Sequence, residues 1–356
     1  MLDCATLAEA PTSPSPVWEL HFPNANAHED FSIILRRIFV SLQITHYQIH
    51  NMKHRLRIGV ISRIASATIT NELSREADVR GHHYDQIVFD TTDLEQSDAA
   101  FTKANLLSYD ILYYRSSLGL TWARALQHYL ARHNRRAINL TAVEFPFLND
   151  KAFQALAMET SEIPTPKTIV DTAGSFLNIA AQIGAPFVAK ACNSSQGKDV
   201  HLIHTAQEYE VFVATRTKKA YIFQEYVPHD YDCRIHLVNG KAVGGFRRVQ
   251  TSSDFRCNVS LGATMEPLEV SEEAILSTLS NKVAKLFNLE LHVVDFLKSK
   301  KDGKYYFVEI NNNPGWETSD TEATGIDMSS LVMDSFETLA SAVRGQVTSA
   351  PFLKTA

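Results

Sequence analysis

Apolar positions along this chain recur with two periods, and the change from one to the other marks out its elements. From Arg57 to Ser62 the run RIGVIS reads as a buried strand. A helix follows with Ile69, Leu73 and Ala77 on one face, and Gly81 stands where a helix-ending residue is expected. Gln86 to Asp90 and Asp110 to Tyr114 read as further strands, Thr121 to His133 as an amphipathic helix, and Ala137 to Leu140 as a fourth strand. This alternation predicts a small doubly wound α/β domain ending near Leu148. No G-x-G-x-x-G follows the first strand, so the domain does not read as a dinucleotide site.

Beyond Asn149 the pattern changes. A helix over Lys151–Met158 stops before Pro164 and Pro166, and Lys167–Val170 is a strand. Helix Ala173–Ile183, strand Pro186–Ala191, a small-residue loop Cys192–Asp199 and strand Val200–Ile203 come next. Helix Ala206–Thr215 leads to strand Tyr221–Val227, and Asn239-Gly240 joins an antiparallel pair, Asp232–Val238 and Ala242–Val249. A long helix is expected from an N-cap at Ser271, with an apolar stripe of Ile275, Leu279, Val283 and Leu286. A last helix runs from about Asp327 to Gly345.

Between these two helices, LHVVDFLKSKKDGKYYFVEINNNPGWE (Leu291–Glu317) reads as a hairpin turning at Asp302-Gly303. Two acids, Asp295 and Glu309, interrupt its apolar strands. Asn311 follows Glu309 by two residues and so shares its face. Two carboxylates and an amide oxygen in apolar surroundings make a hard-oxygen site of the kind that holds Mg²⁺ together with substrate phosphates.

Composition narrows the function classes. The 356 residues suffice for two or three domains, and a net charge of -6 leaves no basic footprint for nucleic acid. Cys4, Cys192, Cys233 and Cys257 show no CxxC spacing, which points to a reducing compartment, the cytoplasm, rather than to disulfides or zinc. No stretch is apolar enough to span a membrane. Residues 1–51 differ from the rest, with Pro11, Pro14 and Pro16 among several serines, and they lack the basic start and apolar core of a secretory signal. Met52-Lys53-His54-Arg55 looks like the start of the domain, so residues 1–51 are expected to be an appended, dispensable arm.

Three further stretches carry candidate chemistry. Lys190 ends the strand PFVAK just before the small-residue loop, where an ammonium can reach a phosphate while loop amides cradle others; taken alone it reads better as a strand-end lysine facing solvent. The loop is not a Walker A motif, because Cys192 replaces its first glycine and Asp199 follows Gly197-Lys198. FQEYV (Phe223–Val227) ends another strand whose backbone at Glu225 and Val227 can read an adenine edge, although by itself it reads better as an ordinary amphipathic strand. Arg234, Arg247, Arg248 and Arg256 lie in the same half of the chain as the acids, and arginine suits two-point binding of carboxylate and phosphate.

LNDK (Leu148–Lys151), VAK (Val188–Lys190), the loop's QG, FQEYV, DCR (Asp232–Arg234), FRR (Phe246–Arg248), DFRCN (Asp254–Asn258), VVDF (Val293–Phe296) and VEINNNPG (Val308–Gly315) follow one another in the order and spacing of ATP-grasp ligases. From about Arg57 to Arg344 the chain resembles their RimK-like branch, which includes the ligase that adds glutamate to a ribosomal protein. The resemblance implies a mixed α/β and α+β architecture: a Rossmann-like pre-ATP-grasp domain (52–148), a small lid subdomain (149–225) and a C-terminal subdomain (226–346) followed by a tail (347–356), with ATP between the last two.

By the same resemblance, Lys151 and Lys190 contact phosphates, and Gln224, Glu225, Tyr226 and Val227 hold adenine. Asp232 sits near the ribose, Arg256 and Asn258 lie by the phosphates and the reacting carboxylate, and Asp295, Glu309 and Asn311 bind Mg²⁺, with Mn²⁺ as an alternative ion. Lys190, Arg247 and Arg256 are the candidate catalytic residues, and Arg247 is singled out for the carboxylate substrate.

The implied reaction joins a carboxylate to an amine (an amino acid, a peptide or a protein end) through an acyl phosphate, with release of ADP and phosphate. A phosphotransferase using the same site on a hydroxyl is the alternative, and a non-catalytic nucleotide module is a third reading. Homo-oligomers are common among such enzymes. Two departures stand out: Asp199 occupies the place of a second loop glycine, and Trp316 replaces a smaller aliphatic residue after Pro314-Gly315.

Overall fold

The computed structural model describes residues 55–349 other than 63–66, 90–96, 116–119, 141–142, 144, 146–147, 171–173, 195–198, 218, 252–254, 258–261, 313 and 317. The expected arm over 1–51 and the start at Met52 lie outside these residues.

The first sheet is three parallel strands in the order β2-β1-β3, formed by β1 (Arg57–Ser62), β2 (His83–Val88) and β3 (Ile111–Arg115). Helix α1 (Ala67–Val79) buries Ile69, Leu73 and Ala77 against one face, as the periodicity predicts. The other face is covered by α2 (Ser97–Lys103) and α3 (Leu120–Arg132), through Phe101, Trp122, Leu126, Tyr129 and Leu130. The expected fourth strand at Ala137–Leu140 is only a bridge, Tyr113 to Ile138. The cause is Asn139, which turns left-handed at φ 67° and leaves the sheet. Its side chain closes a two-way clasp on Leu291, donating to the carbonyl at 2.6 Å and accepting from the amide at 2.8 Å.

A four-stranded antiparallel sheet follows, ordered β4-β7-β5-β6: β4 (Thr168–Val170), β5 (Phe187–Ala191), β6 (Val200–Ile203) and β7 (Tyr221–Glu225). Helices Phe176–Ile183 and Ala206–Thr215 cover it with a core rich in aromatic rings, Phe187, Tyr209, Phe212, Tyr221 and Phe223. Helix α4 (Lys151–Glu159) is capped by Asp150 and sends Met158 into a different core, that of the next sheet.

That last sheet has five antiparallel strands in the order β10-β9-β8-β11-β12: β8 (Tyr231–Val238), β9 (Lys241–Val249), β10 (Thr264–Pro267), β11 (His292–Lys298) and β12 (Tyr305–Asn311). Asn239 and Gly240 both have positive φ, 52° and 69°, the geometry that lets an Asn-Gly pair join two twisted strands. The sheet's apolar face packs on a helix spanning Val270–Leu286.

This helix differs from expectation in phase. It begins at Val270, preceded by Glu269 rather than capped by Ser271, and it buries Leu276, Ser280, Val283 and Ala284, while Ile275 and Leu286 are 49% and 43% exposed. The reason is a buried acid. Glu272 turns inward to accept hydrogen bonds from Tyr231, Tyr305 and Arg247, which fixes the rotation of the first turn. Finally, the helix Met328–Ser349 returns to the first sheet, placing Val332, Met333 and Phe336 against Leu73, Ala77 and Tyr113.

Candidate active site

The hairpin β11–β12 pairs Asp295 directly with Glu309, and a register shift follows at once, before Phe296–Phe307. Such an irregularity re-aims side chains beside a site. Asn311 lies on the same face two residues on, and its amide nitrogen is 3.2 Å from Asp295 Oδ2 and 3.3 Å from Glu309 Oε1. The three side chains singled out for metal are therefore brought together.

Next to them lies a buried ion array. Arg234 stands opposite Asp295 in the β8–β11 register and donates to both its oxygens, at 3.0 and 2.8 Å. Arg248 does the same to Asp232, at 2.6 and 2.7 Å, and reaches Asp295 Oδ2 at 3.2 Å. Burial alone would raise the Asp295 carboxyl, but the two guanidiniums outweigh it and hold the group down to about 2. Asp295 is thus ionised throughout the neutral range.

The array opens onto a crevice between the four- and five-stranded sheets. Its walls include Lys151, Lys190, Asp232, Arg248, Arg256, Asp295 and Glu309 on the polar side, and Val188, Tyr226, Val227, Phe255 and Leu297 on the apolar side. Lys151 bridges the two sheets, donating to the Ser194 carbonyl at 2.6 Å and meeting Glu309 Oε2 at 3.2 Å. Lys190 donates to Gln224 Oε1 at 2.7 Å, and Gln224 is itself anchored on Thr168 Oγ1 at 2.9 Å. Burial pushes the Lys190 ammonium down to about 8; Glu309 counters this in part, and Lys151 adds to it.

Placement of the adenine stretch is partly as expected. Gln224, Glu225, Tyr226 and Val227 line the crevice. The Glu225 amide donates to the Lys167 carbonyl at 2.8 Å, and the Val227 carbonyl meets His229 Nδ1 at 2.6 Å, which fixes the path of the chain at this wall. Asp199 takes φ 55°, the left-handed turn that a glycine would make, and pairs with Lys219; an aspartate adopts this geometry at modest cost.

The candidate that the structure does not bring here is Arg247. Side chains alternate along a strand, so Arg248 faces the crevice while Arg247 faces the Val270–Leu286 helix. There it pairs with Glu269 and Glu272 and lies 4.8 Å from the centre of the Tyr231 ring. Arg256 lines the crevice, and Asn258 lies outside the described residues. Residues that the sequence leaves without a role are His229 and Ser194, which carry no motif, and Arg234 and Arg248, which stand in a basic cluster and in the DCR and FRR motifs with no task of their own.

The RimK-like ATP-grasp domain family matches residues 149–336, more than half of the chain. The chain belongs to the RimK-like ATP-grasp family. Among curated relatives it is 27% identical to a probable alpha-L-glutamate ligase of Aeromonas salmonicida, over 80% of this chain and 98% of the relative. It is 28% identical to the alpha-aminoadipate–LysW ligase LysX of Saccharolobus solfataricus, over 52% of this chain and 74% of the relative. The same fold appears in a RimK-domain ATP-grasp protein of Sphaerobacter thermophilus (TM-score 0.57, 18% identity, 78% of this chain and 99% of that one). It appears also in the D-alanine–D-alanine ligase of Bacillus anthracis complexed with ATP (TM-score 0.59, 18% identity, 82% and 99%).

ATP-grasp chemistry raises the question of a metal. Among the described residues no group of three or more His, Cys, Asp and Glu side chains is set to hold an ion unaided. Asp295, Glu309 and Asn311 supply two carboxylates and an amide, and both oxygens of Asp295 also serve guanidiniums. This donor set suits a hard divalent ion that brings phosphate oxygens with it, rather than one captured alone. Among the described residues no helix is long and apolar enough to cross a membrane.

Proposed function

We propose that this chain is an ATP-dependent ligase that joins a carboxylate to an amine through an acyl phosphate. The observation that carries the reading is the convergence of Lys151, Lys190, Arg248 and Arg256 with Asp295 and Glu309 on one crevice between two sheets. Four cations around an apolar slot suit a nucleoside triphosphate. Tyr226, Val227 and Leu297 offer the base a dry wall, and the lysines lie toward the phosphate end. A substrate carboxylate oxygen attacks the γ-phosphorus, and the bond to ADP breaks. The amine nitrogen then attacks the acyl carbon, phosphate leaves, and the nitrogen gives up a proton.

The chain's part is placement and charge. Lys151 and Lys190 are held by a carbonyl, an amide oxygen and one acid, partners that phosphate oxygens readily displace. Arg234 and Arg248 keep Asp295 ionised and aimed along the row toward Glu309. Asp295, Glu309 and Asn311 would hold Mg²⁺, which supplies neutralisation of charge on the transferring phosphoryl group.

The substrates follow the named relatives: an amino acid, glutamate first, as amine, and a small acid or a peptide or protein end as the carboxylate. ADP release with a panel of carboxylates, each with and without L-glutamate, tests the reading. A ligase needs both partners. Release that needs only one substrate, or a panel with no turnover, would overturn it.

A further inference from the structure

At the carboxyl-terminal end of the parallel sheet, a second group of polar side chains lies outside the nucleotide crevice. Strand order reverses around β1, with β2 on one side and β3 on the other, and open parallel sheets bind ligands beyond the strand ends at such a reversal. The last residues of β1 and β3, Ser62 and Arg115, are direct register partners there. Gln86 of β2 donates to Ser62 Oγ at 2.8 Å. On the same face stand Tyr84 and Tyr113, whose buried hydroxyls have no hydrogen-bond partner. Tyr113 precedes Arg115 by two residues on the same strand, whereas Tyr84 pairs with Ile58, near the start of the sheet.

Arg115 is half-buried and pairs with no carboxylate among the described residues. Among the described residues its one hydrogen bond is from Nη1 to the Pro314 carbonyl, at 3.0 Å, and its guanidinium lies 5.6 Å from the centre of the Trp316 ring. Trp316 is itself fixed, 3% exposed, with its indole donating to Ser329 Oγ at 2.8 Å. The guanidinium is thus clamped by a carbonyl and an aromatic wall with most of its donors unused. Two residues before Arg115 stands Tyr113, whose unsatisfied phenol is costly to bury without a partner. Donors in surplus, with no anion among them, describe a vacant carboxylate position. Pro314 follows Asn311 by three residues, so the position adjoins the proposed phosphate site through one short turn.

We propose that Arg115, with the hydroxyls of Ser62 and Tyr113 and walled by Trp316, binds the carboxylate of an amino acid that serves as the amine substrate. The inference rests on the ligase reading above and adds the identity of the anchor. A carboxylate that is activated meets the phosphates and is consumed there. A carboxylate that survives the reaction needs a permanent counter-charge away from them, and an amino acid attacking through its amine carries such a group. Arg248 and Arg234 are already spent on Asp232 and Asp295.

The test is calorimetric titration of the full chain, with and without Mg²⁺ and a non-hydrolysable ATP analogue. It uses the twenty amino acids and, for the tightest of them, its primary carboxamide. Wild type is expected to bind the acid roughly ten- to a hundredfold more tightly than the amide, the worth of a charge-assisted hydrogen-bonded pair. Arg115→Gln should bind acid and amide alike, with affinity for the ATP analogue within about twofold of wild type. Tyr113→Phe, which removes one hydroxyl and keeps the ring, should weaken the acid several-fold and leave the amide unchanged. If Arg115→Gln does not fold, Tyr113→Phe decides the matter. Wild type that binds no amino acid, a preference for acid over amide that survives Arg115→Gln, or an acid affinity unchanged by Tyr113→Phe would overturn the proposal. Failure of the ATP analogue to bind would instead count against the ligase reading, and the titration without nucleotide still judges the anchor.

Discussion

Lys190 is expected to cost the free protein stability, and Lys190→Met to recover it in a pH-dependent way. Burial lowers the ammonium from 10.5 to about 8. Between those values the unfolded chain binds more protons than the folded one, so wild-type stability rises with pH through that window. The charging cost is about 3 kcal/mol at pH 7 and falls to roughly 1.4 kcal/mol at pH 9.5. Methionine fills similar volume without charge, so the variant lacks this cost at every pH. It also strands the Gln224 Oε1 that Lys190 satisfies, at about 1–3 kcal/mol, but that penalty does not depend on pH and cancels in a double difference. Urea unfolding of both proteins at pH 7 and pH 9.5 should therefore show the stability difference moving toward methionine by about 2 kcal/mol at the lower pH. A carbon-13 titration of the lysine side chains should place one of them near 8, and Lys190→Met should remove that signal. Mg-ATP should stabilise wild type and not the variant. A double difference below about 0.5 kcal/mol, or a Lys190 that titrates at the ordinary value, would refute the account of how the crevice is charged.

Glu309→Gln should fold, retain part of its nucleotide affinity and lose turnover by roughly 10²–10³; ADP formation within a few-fold of wild type would remove Glu309 from the metal set. Arg247→Met should lower unfolding stability by about 3 kcal/mol, because Glu272 would stay buried with only tyrosine partners, while Michaelis constants for ATP and carboxylate stay put; an altered carboxylate dependence would return Arg247 to the site. A chain beginning at Met52 should remain soluble and bind the ATP analogue, and an insoluble product would move that boundary upstream.

What local pattern controls was readable in advance. The stripe of Ile69, Leu73 and Ala77, the Asn239-Gly240 turn, and the juxtaposition of Asp295, Glu309 and Asn311 all follow from periods and turn chemistry within a short stretch. Misreadings arose where a distant partner decides. Ile275 and Leu286 look like core positions until Tyr231 and Tyr305 draw Glu272 inward. Ala137–Leu140 has the composition of a strand, but Leu291 holds Asn139 in a turn. The choice between Arg247 and Arg248 depends on which face of β9 meets the crevice, and adjacent identical residues give no clue to that. Neither Arg115 nor Tyr113 carries a local motif; the strand order sets Arg115 beside Ser62.

The array of Arg234, Asp232, Arg248 and Asp295 also bears on how this chain can evolve. Two positive and two negative groups sum to zero, and each arginine binds an acid through two hydrogen bonds. Neutralising any one member leaves a buried opposite charge without its counterpart, a change that commonly costs several kcal/mol, whereas replacing a matched pair by apolar residues can be nearly neutral for folding. The four positions should therefore show strong epistasis: single substitutions selected against, compensated doubles tolerated for stability, and reciprocal rescue between Asp232 and Arg248 in a paired mutational library. Lineages can repaint the surface around this crevice one residue at a time, but they can cross this array only in coordinated steps.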